Sequence, residues 1–279
     1  MENKIKPEPI WELTSDEYET IVDSVGKPDE LEEIIIFFMP GEYGFLFNSE
    51  NSFDKGVIAI NDAHNFLNDA YWYLIHALCF IKYLKDANEK VVISRKYLEP
   101  SYLAIYSSLE CLATAIEILL AIDINKYKYK KAGISLFSKV GYVLRKDFQD
   151  LEITKVSRQL FDNENIRKIV DFRHRWIHNQ RIQLKDEAMP IIREHPFWKK
   201  GDNFHQYLIG LERGSHHYDI GEYSNIIRLA FNVYFEYFKA VLLFFKDYVC
   251  NKGRINFAVE RKIADDDKTC FKTKTNIKV

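Results

Sequence analysis

The sequence predicts an all-α protein, an up-and-down helical bundle with a small N-terminal appendage. Three observations carry that prediction. Glycine and proline are scarce, 11 and 7 in 279 residues, whereas a β-sandwich or barrel needs turn residues between many short strands. Apolar residues recur at three- and four-residue spacing through most of the chain, the period of a helix with one buried face. The composition is 47% hydrophobic, with 20 Phe and 17 Tyr, enough to build a large core and too much for a disordered chain.

Residues 1–50 read as an acidic N-terminal segment. Within it, Thr14 and Ser15 ahead of Asp16 and Glu17 mark a helix start, with the helix over 14–25. Two apolar runs, 34–39 and 45–47, flank a Pro40-Gly41 turn and predict a short β-hairpin. Polar residues near 48–52 then separate this head from a helical domain, residues 51–250. The first long helix covers 57–85, with Ile58, Leu67, Tyr71, Leu74, Leu78 and Ile81 on one side and Asn61, Asp62, Asn65, Asn68 and Asp69 on the other. Pro100 suits the first turn of a helix and predicts a second one over 101–122. The linker 123–131 is polar and basic. Shorter helices are expected over 134–147, 153–162 and 164–180, and a loop-rich stretch fills 183–220. In the last helix, 222–249, Asn225, Arg228, Asn232, Glu236 and Lys239 form a narrow polar stripe on an apolar cylinder. Such a helix is buried on most sides, in its own bundle or against a second protomer. Residues 251–279 are basic and aperiodic, and are expected to form a mobile tail.

The formal net charge of −2 excludes a polycation that coats nucleic acid through charge alone. The charge is unevenly spread, however. Residues 1–35 hold 11 acidic and 3 basic side chains, a net of −8, which leaves 30 acidic and 36 basic, a net of +6, on the rest. The acidic head reads either as a solvated amphipathic helix or as a segment that shields a basic site or docks a partner. Cys79, Cys111, Cys250 and Cys270 form no CxxC pair, so neither a disulfide framework nor a cysteine-rich zinc site is expected, and a reducing compartment is. No run of about 18 uninterrupted apolar residues is present, and the N-terminus lacks the apolar core of a secretory signal. A cytoplasmic protein without a membrane span is expected.

No phosphate-binding loop, dinucleotide fingerprint, nucleophile elbow or HExxH motif occurs. Chemistry concentrates instead in Asp171-Phe172-Arg173-His174-Arg175-Trp176-Ile177-His178-Asn179. At about 100° per residue His174 and His178 share a helix face, and Arg173 can meet His178 from the helix edge or where the helix ends. Ile166, Ile169, Val170 and Phe172 supply the core-facing side, continued by Trp176 and Ile177. An imidazole exchanges protons near neutral pH, and a guanidinium forks onto phosphate oxygens. Together they suit phosphodiester cleavage. Two other readings stay open: Arg and His at a helix C-terminus can simply satisfy its carbonyls, and His174 with His178, joined by Asp171, could hold a metal.

Arg173, the polar residue beside it and the histidine five positions on resemble the Rx4–6H motif of HEPN domains. The order of long helices around the motif is similar too, and the resemblance spans roughly 55–250. It implies a HEPN-type bundle acting as a metal-independent endoribonuclease with no cofactor, in which a ribose 2′-hydroxyl attacks the adjacent phosphate. His178 would move the proton, Arg173 would hold the phosphate and His174 would assist. It further implies a homodimer that brings two motifs across one cleft, a role in defence or stress, and an antitoxin or other protein partner. The same fold also serves as a non-catalytic interaction or RNA-binding module, the alternative here. Two positions depart from the commoner pattern: His174 stands where Asn or Asp is usual, and Gln180 where some toxin members carry a tyrosine.

Supporting residues can be named as well. Arg175 and Asn179 flank the motif. Glu110, with Glu117 on the same helix face, could orient Arg173 or Arg175 from a neighbouring helix, or belong to a solvent stripe. In the linker, Lys126, Lys128, Lys130 and Lys131 interleave with Tyr127 and Tyr129, the composition of a surface that tracks RNA backbone and stacks bases, or of a solvated loop. His195, His205, His216 and His217 are scattered through a loop region and suggest no metal site.

Overall fold

The computed structural model describes residues 13–38, 52–129, 135–177, 182, 184 and 218–247. Among them the secondary structure is helical, apart from one isolated bridge between Leu184 and Tyr218. The helices are α1 (Ser15–Asp23), α2 (Glu32–Ile35), α3 (Ser52–Tyr83), α4 (Ala87–Leu119), α5 (Leu136–Asp147), α6 (Glu152–Asp162), α7 (Glu164–Ile177) and α8 (Ile220–Asp247). The tail and most of the loop-rich stretch lie outside the described residues.

The scaffold is the antiparallel hairpin of α3 and α4, the most extensive helix pair in the fold. Small residues step by seven along both helices: Gly56, Ala63, Ala70 and Ala77 on α3, and Ser94, Ser101, Ser108 and Ala115 on α4. Their lack of bulk lets the backbones approach closely. Two hydrogen bonds fix the register, Ser101 Oγ donating to the Ala70 carbonyl at 3.0 Å and Ser108 Oγ to the Ala63 carbonyl at 2.5 Å. Gly56 is part of the same fit, since a Cβ there would sit 2.7 Å from the Leu119 side chain.

Helix α4 starts well before the expected position. Its N-cap is Asp86, whose carboxylate accepts the Glu89 N–H at 2.8 Å, so Pro100 falls inside the helix instead of opening it. A proline there removes one backbone bond and costs about 3 kcal/mol in isolation. The buried positions Val91, Leu98, Tyr102, Ile105, Leu109, Leu112 and Ile116 run straight through Pro100, and packing along α3 outweighs the cost.

Helix α8 is the central element, packed against α2, α3, α4, α6 and α7, which places its burial within its own bundle. Two of its fully buried tyrosines find serine partners: Tyr234 bonds Ser108 of α4 at 2.6 Å, and Tyr237 bonds Ser157 of α6 at 3.1 Å. Burial pushes the Tyr237 hydroxyl up to about 12. The polar stripe of α8 receives the head. The Asn232 amide accepts from the Gly26 N–H at 2.9 Å and donates to the Ser24 carbonyl at 3.1 Å, and Lys239 faces Glu30 at 3.8 Å.

The first arm of the expected hairpin is not a strand. Residues 28–38 form α2 between two 3-10 turns, entered at Pro28 and followed by acidic first-turn residues. Leu31, Ile35, Phe37 and Phe38 all enter the main core, so the apolar run is buried on several sides and the alternation of a surface strand is not needed. The second arm, 45–47, lies outside the described residues. Three other expected core positions face solvent: Ile58, Trp176 and Ile177. Among the described residues one segment, Glu89–Leu119 within α4, is long and apolar enough by composition to cross a membrane, and most of its apolar window is buried in the bundle.

Candidate functional site

Helix α7 carries the motif. Asn163 caps its start, its amide oxygen accepting the Asn165 and Ile166 N–H groups at 3.0 and 3.2 Å. Ile166, Ile169 and Phe172 bury its inner face. Phe172 locks the far end among the rings of Tyr102, Tyr218 and Tyr223, at centroid distances of 5.8, 6.0 and 5.3 Å. The helix therefore leads its last turn, Arg173–Ile177, to a fixed place on the bundle surface.

Within that turn the side chains diverge. Arg173 lays its guanidinium over the Tyr106 ring of α4, 4.6 Å from the centroid. Among the described residues its N–H edge makes no hydrogen bond or ion pair. Arg175 points elsewhere, its Nε donating to Asp171 Oδ2 at 2.8 Å. His174 is exposed. His178 and Asn179 lie outside the described residues.

Glu110 comes to the site by a route the sequence did not suggest. Ser135 and Glu110 together account for the free N–H groups that begin α5. Glu110 Oε2 accepts from Leu136 at 3.0 Å and Oε1 from Phe137 at 3.3 Å; Ser135 Oγ accepts from Ser138 and its carbonyl from Lys139. The carboxylate thus caps a helix from the side, where the macrodipole favours an anion. Tyr106 lies one turn before Glu110 and is the residue that links it to the motif. Its hydroxyl feels the Glu110 charge while its ring supports Arg173. Burial pushes that hydroxyl's pKa up, the Glu110 charge adds to the rise, and the Arg173 charge opposes it. Glu117 stays apart, half-buried near Lys139, and burial raises its pKa.

A second unit lies beneath the motif. Arg95 and Glu99 of α4 form a buried ion pair, Nε to Oε1 at 2.6 Å, and Arg95 Nη2 donates to the Ile182 carbonyl at 2.8 Å. Tyr223 of α8 is fully buried, and burial raises its hydroxyl pKa strongly, with the Glu99 charge adding to the rise and the Arg95 charge opposing it. Arg95 therefore pins the chain four residues after His178. Its i,i+4 spacing with Glu99 is visible in the sequence.

The linker lysines fare differently from one another. Lys126 is committed to Asp147 at 2.9 Å, and the Tyr127 hydroxyl bonds the same carboxylate. That partnership holds the Asp147 pKa below the ordinary carboxylate range. Lys128 is exposed, and Lys130 and Lys131 lie outside the described residues. Among the described residues, no group of three or more His, Cys, Asp and Glu side chains is assembled that could hold a metal. Cys79 and Cys111 are free thiols, and burial pushes Cys79 up to about 11. No protein-family model matches the chain, no curated protein matches it in sequence, and no solved structure matches it in fold.

Proposed function

We propose that this all-α bundle is a HEPN-type, metal-independent endoribonuclease that works as a cytoplasmic homodimer. The observation that supports the reading is Arg173. Its flat face is held on Tyr106, which orients the guanidinium, while its N–H edge makes no hydrogen bond among the described residues. A guanidinium held in this way can fork onto two phosphate oxygens and stabilise the added charge of a phosphorane.

His178, five residues on by sequence, takes the proton from the ribose 2′-hydroxyl as it attacks the adjacent phosphorus. The bond to the 5′-oxygen breaks, and a second imidazole returns a proton to that leaving oxygen. In-line displacement places base and acid on opposite sides of phosphorus, so one His178 from each protomer of a dimer satisfies the geometry. The exposed His174 stands beside the phosphate site and assists.

Incubation with RNA in excess EDTA tests this. Wild-type protein is expected to cleave, and Arg173→Ala and His178→Ala each to lose roughly 10²–10⁴-fold in rate, the usual contribution of a positioned acid–base group or oxyanion donor. Equal cleavage by wild type and His178→Ala would end the proposal. RNA binding without cleavage would favour a non-catalytic module on the same fold.

A further inference from the structure

We infer that the outer face of α5 and the linker residues Tyr127–Tyr129 form a track for single-stranded RNA, with Tyr129 and Tyr142 receiving bases and Lys128, Lys139 and Lys146 receiving phosphates. The choice of polymer rests on the ribonuclease reading; the surface itself rests on separate observations. Tyr142 of α5 stands edge-on to both linker tyrosines, 5.3 Å from Tyr127 at 78° and 5.9 Å from Tyr129 at 72°. A lysine lies over each ring: Lys126 over Tyr127 at 5.5 Å, Lys139 over Tyr129 at 5.7 Å and Lys146 over Tyr142 at 5.9 Å.

Two of these rings are fixed at their polar ends. The Tyr127 hydroxyl bonds Asp147, and the Tyr129 hydroxyl donates to the Ile124 carbonyl at 2.7 Å. The patch is therefore preorganised, and little further order is lost when a strand binds. Its charge suits a phosphate chain: Asp147 is already answered by Lys126, and among the described residues Lys128, Lys139 and Lys146 close no ion pair, although Glu117 lies near Lys139. Stacking of a base on an aromatic ring is a stronger contact than an exposed lysine over the same ring. A bound strand can thus draw Lys139 and Lys146 onto phosphates and place bases on the Tyr129 and Tyr142 rings that they leave. A duplex hides its base faces and cannot make this exchange.

The track also leads to the proposed catalytic residues. Helix α5 begins on Glu110, beside the Tyr106 ring that supports Arg173. Along the helix from that point, Lys139, Tyr142 and Lys146 follow at roughly 5, 9 and 15 Å.

Fluorescence anisotropy of the full chain with a labelled 2′-O-methyl oligouridylate, which cannot be cut through its 2′-hydroxyl, tests the inference. The Lys128→Glu/Lys146→Glu variant reverses two exposed charges. It is expected to weaken binding at least tenfold and to lower the slope of log K against log salt by roughly 1.4, about 0.7 for each phosphate that is no longer neutralised. Tyr142→Ala is expected to weaken binding roughly tenfold and Tyr142→Phe to leave it unchanged, with thermal melts verifying that each variant is folded. Lys96→Glu, a single charge reversal of the same kind at an exposed position of α4, should bind as wild type, and the duplexed probe should bind less tightly than the single strand. Absent wild-type binding, equal binding by the double variant, an equal loss in Lys96→Glu, or tighter binding of the duplexed probe would each overturn the track. Intact patch-dependent binding by a protein that fails to cleave RNA in EDTA would instead sink the nuclease reading alone.

Discussion

Replacing Glu110 by Gln tests whether this carboxylate is a helix cap. Glu110 now uses one oxygen for each of the first two N–H groups of α5, at 3.0 and 3.3 Å. A glutamine offers a single acceptor oxygen, so one of the two N–H groups loses its partner. A lost hydrogen bond in a half-buried setting costs about 1 kcal/mol, and loss of the charge at the helix N-terminus adds roughly 0.5 kcal/mol. The expected destabilisation is therefore about 1.5 kcal/mol for Glu110→Gln, and about 2.5 kcal/mol for Glu110→Ala, where both bonds go. For a chain of this size that corresponds to a melting point lower by roughly 3–6 °C in the Gln variant. Urea denaturation followed by circular dichroism should show a lower midpoint with an unchanged slope. An unchanged midpoint would refute the capping role. An unchanged midpoint together with lost RNA cleavage would show that Glu110 acts on Arg173 instead.

Three further perturbations follow from the packing. Gly141→Ala gains helix propensity, yet its Cβ would sit 1.9 Å from the Phe161 ring, which is stacked on Phe137; net destabilisation of about 1–3 kcal/mol is expected in a urea titration. Glu99→Gln removes the carboxylate that pairs with the buried Arg95 and should cost about 3–5 kcal/mol, whereas Arg95→Met/Glu99→Leu should recover most of it, a contrast that urea titrations of the two variants measure. His64 is buried against Phe238, and its Nε2 has no hydrogen-bond partner among the described residues; burial lowers its pKa, while the Pro28 carbonyl and Asp29 oppose the shift. The unfolded chain then binds the proton first, near the ordinary value of about 6.5, so stability is full above that pH and declines as pH falls toward the lower folded pKa. His64→Phe should flatten that part of a stability-versus-pH curve, and an undiminished slope would rule His64 out as its source.

How much of this fold is legible in the sequence depends on what occupies the core positions. Helices α5, α6, α7 and α8 present apolar residues at helical spacing and are found within a few residues of their expected bounds. The first half of α4 escapes because Ser94, Arg95 and Glu99 occupy buried positions, which erases the apolar period just where Pro100 suggests a start. The seven-residue step of Gly and Ala on α3, matched by Ser and Ala on α4, is the compensating signal; small residues mark close backbone approach as surely as large ones mark a core. The apolar run before Pro40 misleads for a different reason. Short apolar runs fit a strand or a buried helical turn equally well, and only the docking of Asn232 and the core around Leu31 decides between them. At the site, Arg173 and its place at the end of a helix are readable from residue order. Tyr106 and the capping role of Glu110 are not, because they depend on which face of α4 meets α5 and α7.

The most direct measurement is the end chemistry of cleaved RNA. Wild-type protein in EDTA, given an RNA and its 2′-deoxy counterpart, should cut only the RNA and leave 2′,3′-cyclic phosphate and 5′-hydroxyl ends, since the attacking oxygen is the neighbouring 2′-hydroxyl. Arg173→Ala and His178→Ala should cut the RNA at least about a hundredfold more slowly and leave the deoxy strand whole. Cleavage of the deoxy strand, or products with 5′-phosphate ends, would contradict the roles assigned to Arg173 and His178.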